Sequence, residues 1–163
     1  MLTVEIPGRE TLVLEHLVSD FNGTLAEDGH LQRGVLERII QVSAVLTTHI
    51  VTSDSNGTAE ESARVLGAAC LAAQVASPQW QRVQTGHEKE QYIQRLDPSR
   101  VVAVGNGAND EAMLRSAALS ICVLGSEGAS IQALLASHYA VTSPLDALDA
   151  LLSPKRITST LHR

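Results

Sequence analysis

Asp20 stands at the end of an apolar run and is followed by Phe21, Asn22, Gly23 and Thr24, in the stretch "LVSDFNGTL". A carboxylate at a strand end, ahead of a glycine turn, brings one oxygen to an open site whose loop N–H groups face an incoming anion. The same residues also suit a strand that closes in a plain Asn-Gly turn. Three other segments place polar residues next to an element boundary. In "IVTSD", the hydroxyls of Thr52 and Ser53 suit donation to a phosphoryl oxygen, or capping of the helix that follows. Lys89 opens a helix and is one of two lysines set against ten arginines. A cation there opposes the helix dipole, and a compact ammonium serves a phosphate and a carboxylate together; a solvated first-turn lysine is the plain alternative. In "VVAVGNGANDEAML", a glycine-rich loop carries Asn106, Asn109 and Asp110. Asp110 is within the chemistry of metal ligation there and the amides suit ordering it, whereas the G-x-G-x-x-G spacing of a dinucleotide fold is absent.

The elements that must position these groups alternate. "LTVEI", Pro7-Gly8 and "TLVLEHLVSD" predict a hairpin leading into a longer buried strand. Helical spacing of Val35, Leu36, Ile39 and Ile40 predicts the next helix, and "THIVTSD" the next strand. Thr58 to Glu61 matches a capping box, with Gly67 as the stop. "AACLAAQV" is expected as a third strand, and Thr85 to Glu88 as the capping box of the helix "EKEQYIQRL". Strand, helix, strand, helix, short strand and helix follow to "PLDALDALL", and "SPKRITSTLHR" is expected as a surface tail. Near-continuous apolar strands alternating with helices predict a parallel sheet covered on both faces. Ligands of such sheets bind beyond the carboxyl ends of the strands, where all these polar groups fall.

Composition narrows the function. With 163 residues, 44% apolar and 18% charged, the chain suits one compact domain, residues 1–163. Aromatics at 2% and a net charge of −6 argue against a nucleic-acid partner. No run is apolar for long enough to cross a membrane. Cys70 and Cys122 lack metal spacing and read as buried thiols in a reducing cytoplasm. His87 is near enough to Lys89 to approach a substrate; the other histidines are scattered.

Taken together, the four segments resemble the haloacid dehalogenase-like (HAD) superfamily, and most closely the phosphorylation domain of P-type ATPases. "SDFNGTL" is similar to that group's D-K-T-G-T-L, "IVTSDSNGTAEESARVLG" to its T-G-D-N-x-x-T-A-x-x-I-A-x-x-L-G, and "VVAVGNGANDEAML" to its V-G-D-G-x-N-D-A-P-A-L. The resemblance covers roughly Leu17 to Val141. It implies an α/β fold, a HAD-like Rossmannoid three-layer sandwich with a mainly parallel central sheet, carrying an N-terminal β-hairpin and no cap domain. It implies Asp20 as nucleophile, with Asn22, Thr52 and Lys89 as the other catalytic positions. Phe21, Gly23, Thr52, Ser53, Lys89 and Asn109 would bind the substrate phosphate. Asp20, the Asn22 carbonyl, Asn106 and Asp110 would hold Mg²⁺. The substrate would be a small phosphorylated molecule, and a homo-oligomer is one way to cover the uncapped site.

Two departures set the expected activity. Position 22 is Asn where phosphatases of the superfamily have an acid, and an amide moves no proton; that function is typically worth roughly 10²–10⁴-fold. Position 106 is Asn in place of a metal-binding Asp. One charge at about 4 Å, at an effective dielectric near 20, is worth roughly 4 kcal/mol before desolvation. Slow turnover, a persistent aspartyl-phosphate and weak Mg²⁺ binding are therefore expected. Alternatives left open by the residues are a sugar-acid phosphatase, a non-catalytic binding domain, and a phospho-acceptor switch.

Overall fold

The computed structural model describes residues 1–162. Six parallel strands form the central sheet: β3 (His16–Ser19), β6 (Thr47–Thr52), β7 (Gln79–Arg82), β8 (Val101–Gly105), β9 (Leu119–Val123) and β10 (Tyr139–Val141). Their spatial order is β10-β9-β8-β3-β6-β7. Two small antiparallel pairs accompany them, β1 (Leu2–Val4) with β2 (Leu12–Leu14), and β4 (Ala26–Glu27) with β5 (His30–Leu31). From β3 the chain builds outward to β6 and β7, then returns to the other side of β3 for β8, β9 and β10. The strand order therefore reverses at β3/β8, where open parallel sheets form their ligand crevice.

One face of the sheet carries α1 (Val35–Ser43), α2 (Ala59–Ala72), α6 (Pro144–Leu152) and α7 (Lys155–Leu161) over a core that includes Leu17, Ile50, Val102, Val104 and Ile121. The other carries α3 (Gly86–Gln94), α4 (Glu111–Ser116) and α5 (Ile131–Ala136) over Val18, Val51, Ala103 and Cys122. Alternate residues of each strand thus feed opposite layers, which is why the central strands read as unbroken apolar runs. The result is the expected α/β three-layer sandwich with its N-terminal hairpin. Among the described residues no helix is long and apolar enough to cross a membrane.

Three local expectations are corrected. "AACLAAQV" is not a strand: α2 runs through Gly67 to Ala72, burying Leu66 and Cys70 one turn apart. Its alanines favour helix, and the edge strand falls later, at Gln79–Arg82. Thr58 does not cap α2; its hydroxyl bonds the Gly29 carbonyl, and Asp54 Oδ1 instead accepts from Ala59 N at 3.0 Å. The C-terminal segment is not a loose tail. It forms α7, buries Ile157 and Leu161, and ties Thr158 Oγ1 to the Glu5 carbonyl at 2.8 Å. The β1–β2 hairpin is packed on its own chain through Val4, Ile6 and Leu14.

Candidate active site

The reversal point is occupied by one buried charge cluster. Asp20 lies one residue beyond β3, its N–H bonded to the Val104 carbonyl of β8 at 2.9 Å. Lys89, in the first turn of α3, is fully buried and donates to Asp20 Oδ1 and Asp110 Oδ1, each at 2.7 Å. Thr85 Oγ1 accepts from Glu88 N and starts α3 at the point that aims Lys89 inward. Gly86 permits it, since a Cβ there would fall 2.6 Å from the Asn109 carbonyl oxygen. Gly105 plays the same part on β8, where a Cβ would lie 2.7 Å from the Asp110 carboxyl carbon.

Asp110, expected as a metal ligand, takes hydrogen bonds on both carboxylate oxygens. Its Oδ1 is taken by Lys89, and its Oδ2 accepts from Asn106 N at 3.0 Å and Gly107 N at 2.9 Å. Fully buried and so bonded, it orients the ammonium and shapes the 106–110 loop. Thr24, absent from the expected set, is central. Its hydroxyl lies 3.3 Å from Asp20 Oδ2 and 3.0 Å from Asn106 Oδ1. A threonine after a glycine turn was the available signal. Gly23, at φ +74°, brings the turn so close that a Cβ would sit 2.4 Å from Asn106 Nδ2.

The remaining expected residues divide. Thr52, at the end of β6, is buried; its Oγ1 accepts from Asp54 N at 2.9 Å, which leaves its proton to donate. Ser53 follows it, half-buried. Phe21 turns its ring into the core, edge-on to Trp80 at 5.2 Å, so only its backbone faces the loop chemistry. Asn22 is engaged as an amide, donating to Ser55 Oγ at 3.2 Å and accepting from Asn56 Nδ2 at 3.0 Å. Asn109 is not brought into the cluster; it is exposed and lines a groove between α3 and α4. His87 is exposed too, bonded to Gln91.

Charge sets the electrostatics. Burial, followed by the Asp110 carboxylate, pushes the Asp20 carboxyl up to about 7 against the pull of Lys89. Burial works to lower Lys89, but the two carboxylates outweigh it and hold the ammonium above its ordinary range. Fully ionised, the trio carries one net negative charge. Among the described residues no group of three or more His, Cys, Asp or Glu side chains is placed to hold a metal. The oxygens that do converge are Asp20 Oδ2 and Asn106 Oδ1 around the Thr24 hydroxyl. Such a hard, one-carboxylate donor set fits a Mg²⁺ that draws its other ligands from water and substrate.

Helix α3 is held from within the sheet as well. Tyr92, one turn beyond Lys89, places its hydroxyl 2.9 Å from His49 Nδ1 in β6, and His49 Nε2 lies 3.1 Å from His16 Nδ1 in β3. A neutral His49 serves both neighbours, one ring nitrogen donating and the other accepting. Burial, then His16, lowers its pKa to about 4. The members of this Tyr92–His49–His16 chain are far apart in order, so no local sequence pattern marks them.

No family model matches the chain. The fold is that of HAD-type hydrolases. The cobalt-bound deoxy-D-mannose-octulosonate 8-phosphate phosphatase (YrbI) of Haemophilus influenzae aligns with a TM-score of 0.65 and 10% identity, covering 92% of this chain and 94% of that one. The 3-deoxy-D-manno-octulosonate 8-phosphate phosphatase of Moraxella catarrhalis, complexed with magnesium, phosphate and KDO, aligns at 0.61 with 14% identity and 90% of both chains. The D,D-heptose 1,7-bisphosphate phosphatase of Burkholderia thailandensis aligns at 0.60 with 15% identity over 85% of this chain and 99% of that one. In sequence, the uncharacterized protein MJ0073 of Methanocaldococcus jannaschii is 46% identical over 69 residues, 42% of this chain and 74% of its own length. The chain belongs to the same family as that archaeal protein.

Two stability predictions follow from these contacts. Lys89→Met leaves two buried carboxylates facing each other, and breaking such a pair costs about 3–5 kcal/mol; urea denaturation at pH 8 should show that loss, with part of it returned by adding Asp20→Asn. His49 has a folded pKa below its ordinary 6.5, so its contribution is present above about 6.5 and is lost as pH falls through about 4. Denaturation midpoints of His49→Gln should therefore fall less steeply than wild type over that window.

Proposed function

We propose that the chain is a Mg²⁺-dependent phosphohydrolase or phosphotransferase that works through an aspartyl-phosphate on Asp20. The observation that carries this reading is the buried Lys89 ammonium 2.7 Å from Asp20 Oδ1 at the strand-order reversal. An anionic carboxylate attacks an anionic phosphorus only where positive charge stands beside both. Similarity in fold to phosphatases of phosphorylated sugars supports the same class of chemistry. The substrate is a small phosphorylated molecule, and with no cap over it the site is covered by the substrate itself or by a neighbouring subunit. The free buried thiols Cys70 and Cys122 suit a cytoplasmic protein.

In the first step an Asp20 carboxylate oxygen bonds to phosphorus and the phosphorus–oxygen bond to the leaving group breaks. The Thr52 hydroxyl donates to a phosphoryl oxygen, the Phe21 and Gly23 backbone borders the same group, and Lys89 balances the charge on Asp20. Mg²⁺, held by Asp20, Asn106 and the Asn22 carbonyl, would supply charge neutralisation on the phosphoryl oxygens. In the second step water attacks phosphorus and releases Asp20 and phosphate. Asn22 neither protonates the leaving group nor deprotonates the water. Good leaving groups are therefore favoured and the phosphoenzyme persists. The engagement of Asn22 with Ser55 and Asn56 favours a second reading, in which the long-lived phosphoenzyme is itself a signal.

An acyl phosphate and an aryl phosphate, each assayed with and without Mg²⁺, test this. Asp20→Asn should abolish phosphate release and acid-stable labelling of the protein; activity that survives it removes Asp20 as nucleophile. The attacking form is the carboxylate, so with Asp20 raised to about 7 activity should fall as pH drops through that value at low Mg²⁺. Saturating Mg²⁺ should move this limb to lower pH.

A further inference from the structure

Beside the catalytic centre a second cleft opens between β7 and α2. It encloses about 250 Å³ and shares Thr52 with the phosphate site; Ala59, Glu60 and Ala63 of α2 face Trp80 and Arg82 of β7 across it. Trp80 and Arg82 are two residues apart, so they share one face of the strand. Ala59 and Ala63 are one helical turn apart, and their small side chains leave the volume open. The Trp80 ring is braced edge-on against Phe21, the residue after Asp20, which makes it a fixed apolar wall.

Arg82 is the cation of this cleft. It is exposed and its guanidinium makes no ion pair or hydrogen bond with any other described residue, in contrast to Arg38, Arg64, Arg100 and Arg115. It is aligned with Thr52 in the parallel register. Neighbouring strands lie about 4.8 Å apart, so Arg82 is displaced from the strand of Asp20 by two such steps, roughly 10 Å. Of the two acids lining the cleft, Asp54 is committed to capping α2 through Ala59 N. Glu60 is exposed and adds a second opposing charge to that of Asp54.

We propose that this cleft is a specificity subsite in which Arg82 binds a second anionic group, a carboxylate or phosphate, at the far end of the phosphorylated substrate, with the carbon skeleton against Trp80. This rests on the reading of Asp20, Thr52 and Lys89 as the phosphate site. A planar guanidinium pairs with carboxylate or phosphate through two parallel hydrogen bonds. The fixed span between Thr52 and Arg82 then selects molecules by the distance between their two acidic ends.

Calorimetric titration with Mg²⁺ and three probes tests it: inorganic phosphate, glycerol 3-phosphate, and 3-phosphoglycerate, which adds a carboxylate to a similar skeleton. Wild-type protein should bind 3-phosphoglycerate about tenfold or more tightly than glycerol 3-phosphate, the scale of one charge-assisted contact. Arg82→Gln should erase that preference and leave glycerol 3-phosphate unchanged, Arg82→Lys should keep part of it, and Glu60→Gln should increase it. Equal binding of the two organic probes by wild type, or equal weakening of both in Arg82→Gln, overturns the subsite while leaving the phosphate site standing. Failure of all three probes, inorganic phosphate included, overturns the phosphate site and the subsite together.

Discussion

A single ammonium held between two carboxylates, out of contact with water, is the constraint on which this structure is arranged. Lys89 could not be buried without Asp20 and Asp110, and the two acids could not be buried together without Lys89. To bring them within 2.7 Å of one nitrogen, β3 and β8 must be neighbours and α3 must begin against the 106–110 loop. The glycines at 86 and 105 allow that approach, and the Tyr92–His49–His16 chain fixes the helix from the sheet side. Each of these features is costly or unremarkable alone and makes sense only as support for the cluster.

The same cluster explains how a site can hold its shape while carrying fewer acids than its motif suggests. Asn22 and Asn106 keep the volume of a carboxylate and add a donor. Asn22 uses its amide to span from the Asp20 loop to Ser55 and Asn56, and Asn106 donates to the Gly128 carbonyl at 3.1 Å while facing Thr24 through its oxygen. The loops around Asp20 are thereby tied to one another by neutral bonds. What the two amides lack is the charge of an acid at positions 22 and 106.

Much of the fold was legible because its signals are local. Apolar runs such as "RVVAVG" mark strands covered on both faces, and turn residues mark where they end. The groups at those ends were legible too: Asp20 falls just after β3, Thr52 on β6, Lys89 on α3 and Asp110 in the loop after β8. The misses arose where a local rule met a nonlocal partner. An alanine-rich segment with apolar flanks fits strand or helix, and only burial of Leu66 and Cys70 on one face decides for helix. Thr58 has the spacing of a cap, but its hydroxyl is drawn to Gly29, 29 residues away. Asp110 has the chemistry of a metal ligand, and the bonds that its oxygens make to Lys89 and to the 106–107 backbone come from partners that no local pattern names. The C-terminal helix is tied to the N-terminal hairpin region through Thr158 and Glu5, a partner remote in sequence.

The central claim is that Asp20, Lys89 and Thr52 gather around one phosphorus atom, with Asp110 acting through Lys89. A crystal structure of the protein soaked with Mg²⁺ and trifluoroberyllate tests this most directly. The expected result is beryllium bonded to an Asp20 carboxylate oxygen, fluorines facing Thr52 Oγ1 and Lys89 Nζ, Lys89 still paired with Asp110, and the metal touching Asn106 but not Asp110. Trifluoroberyllate absent from Asp20 at saturating concentration, or Mg²⁺ coordinated by Asp110 with Lys89 displaced, would contradict it.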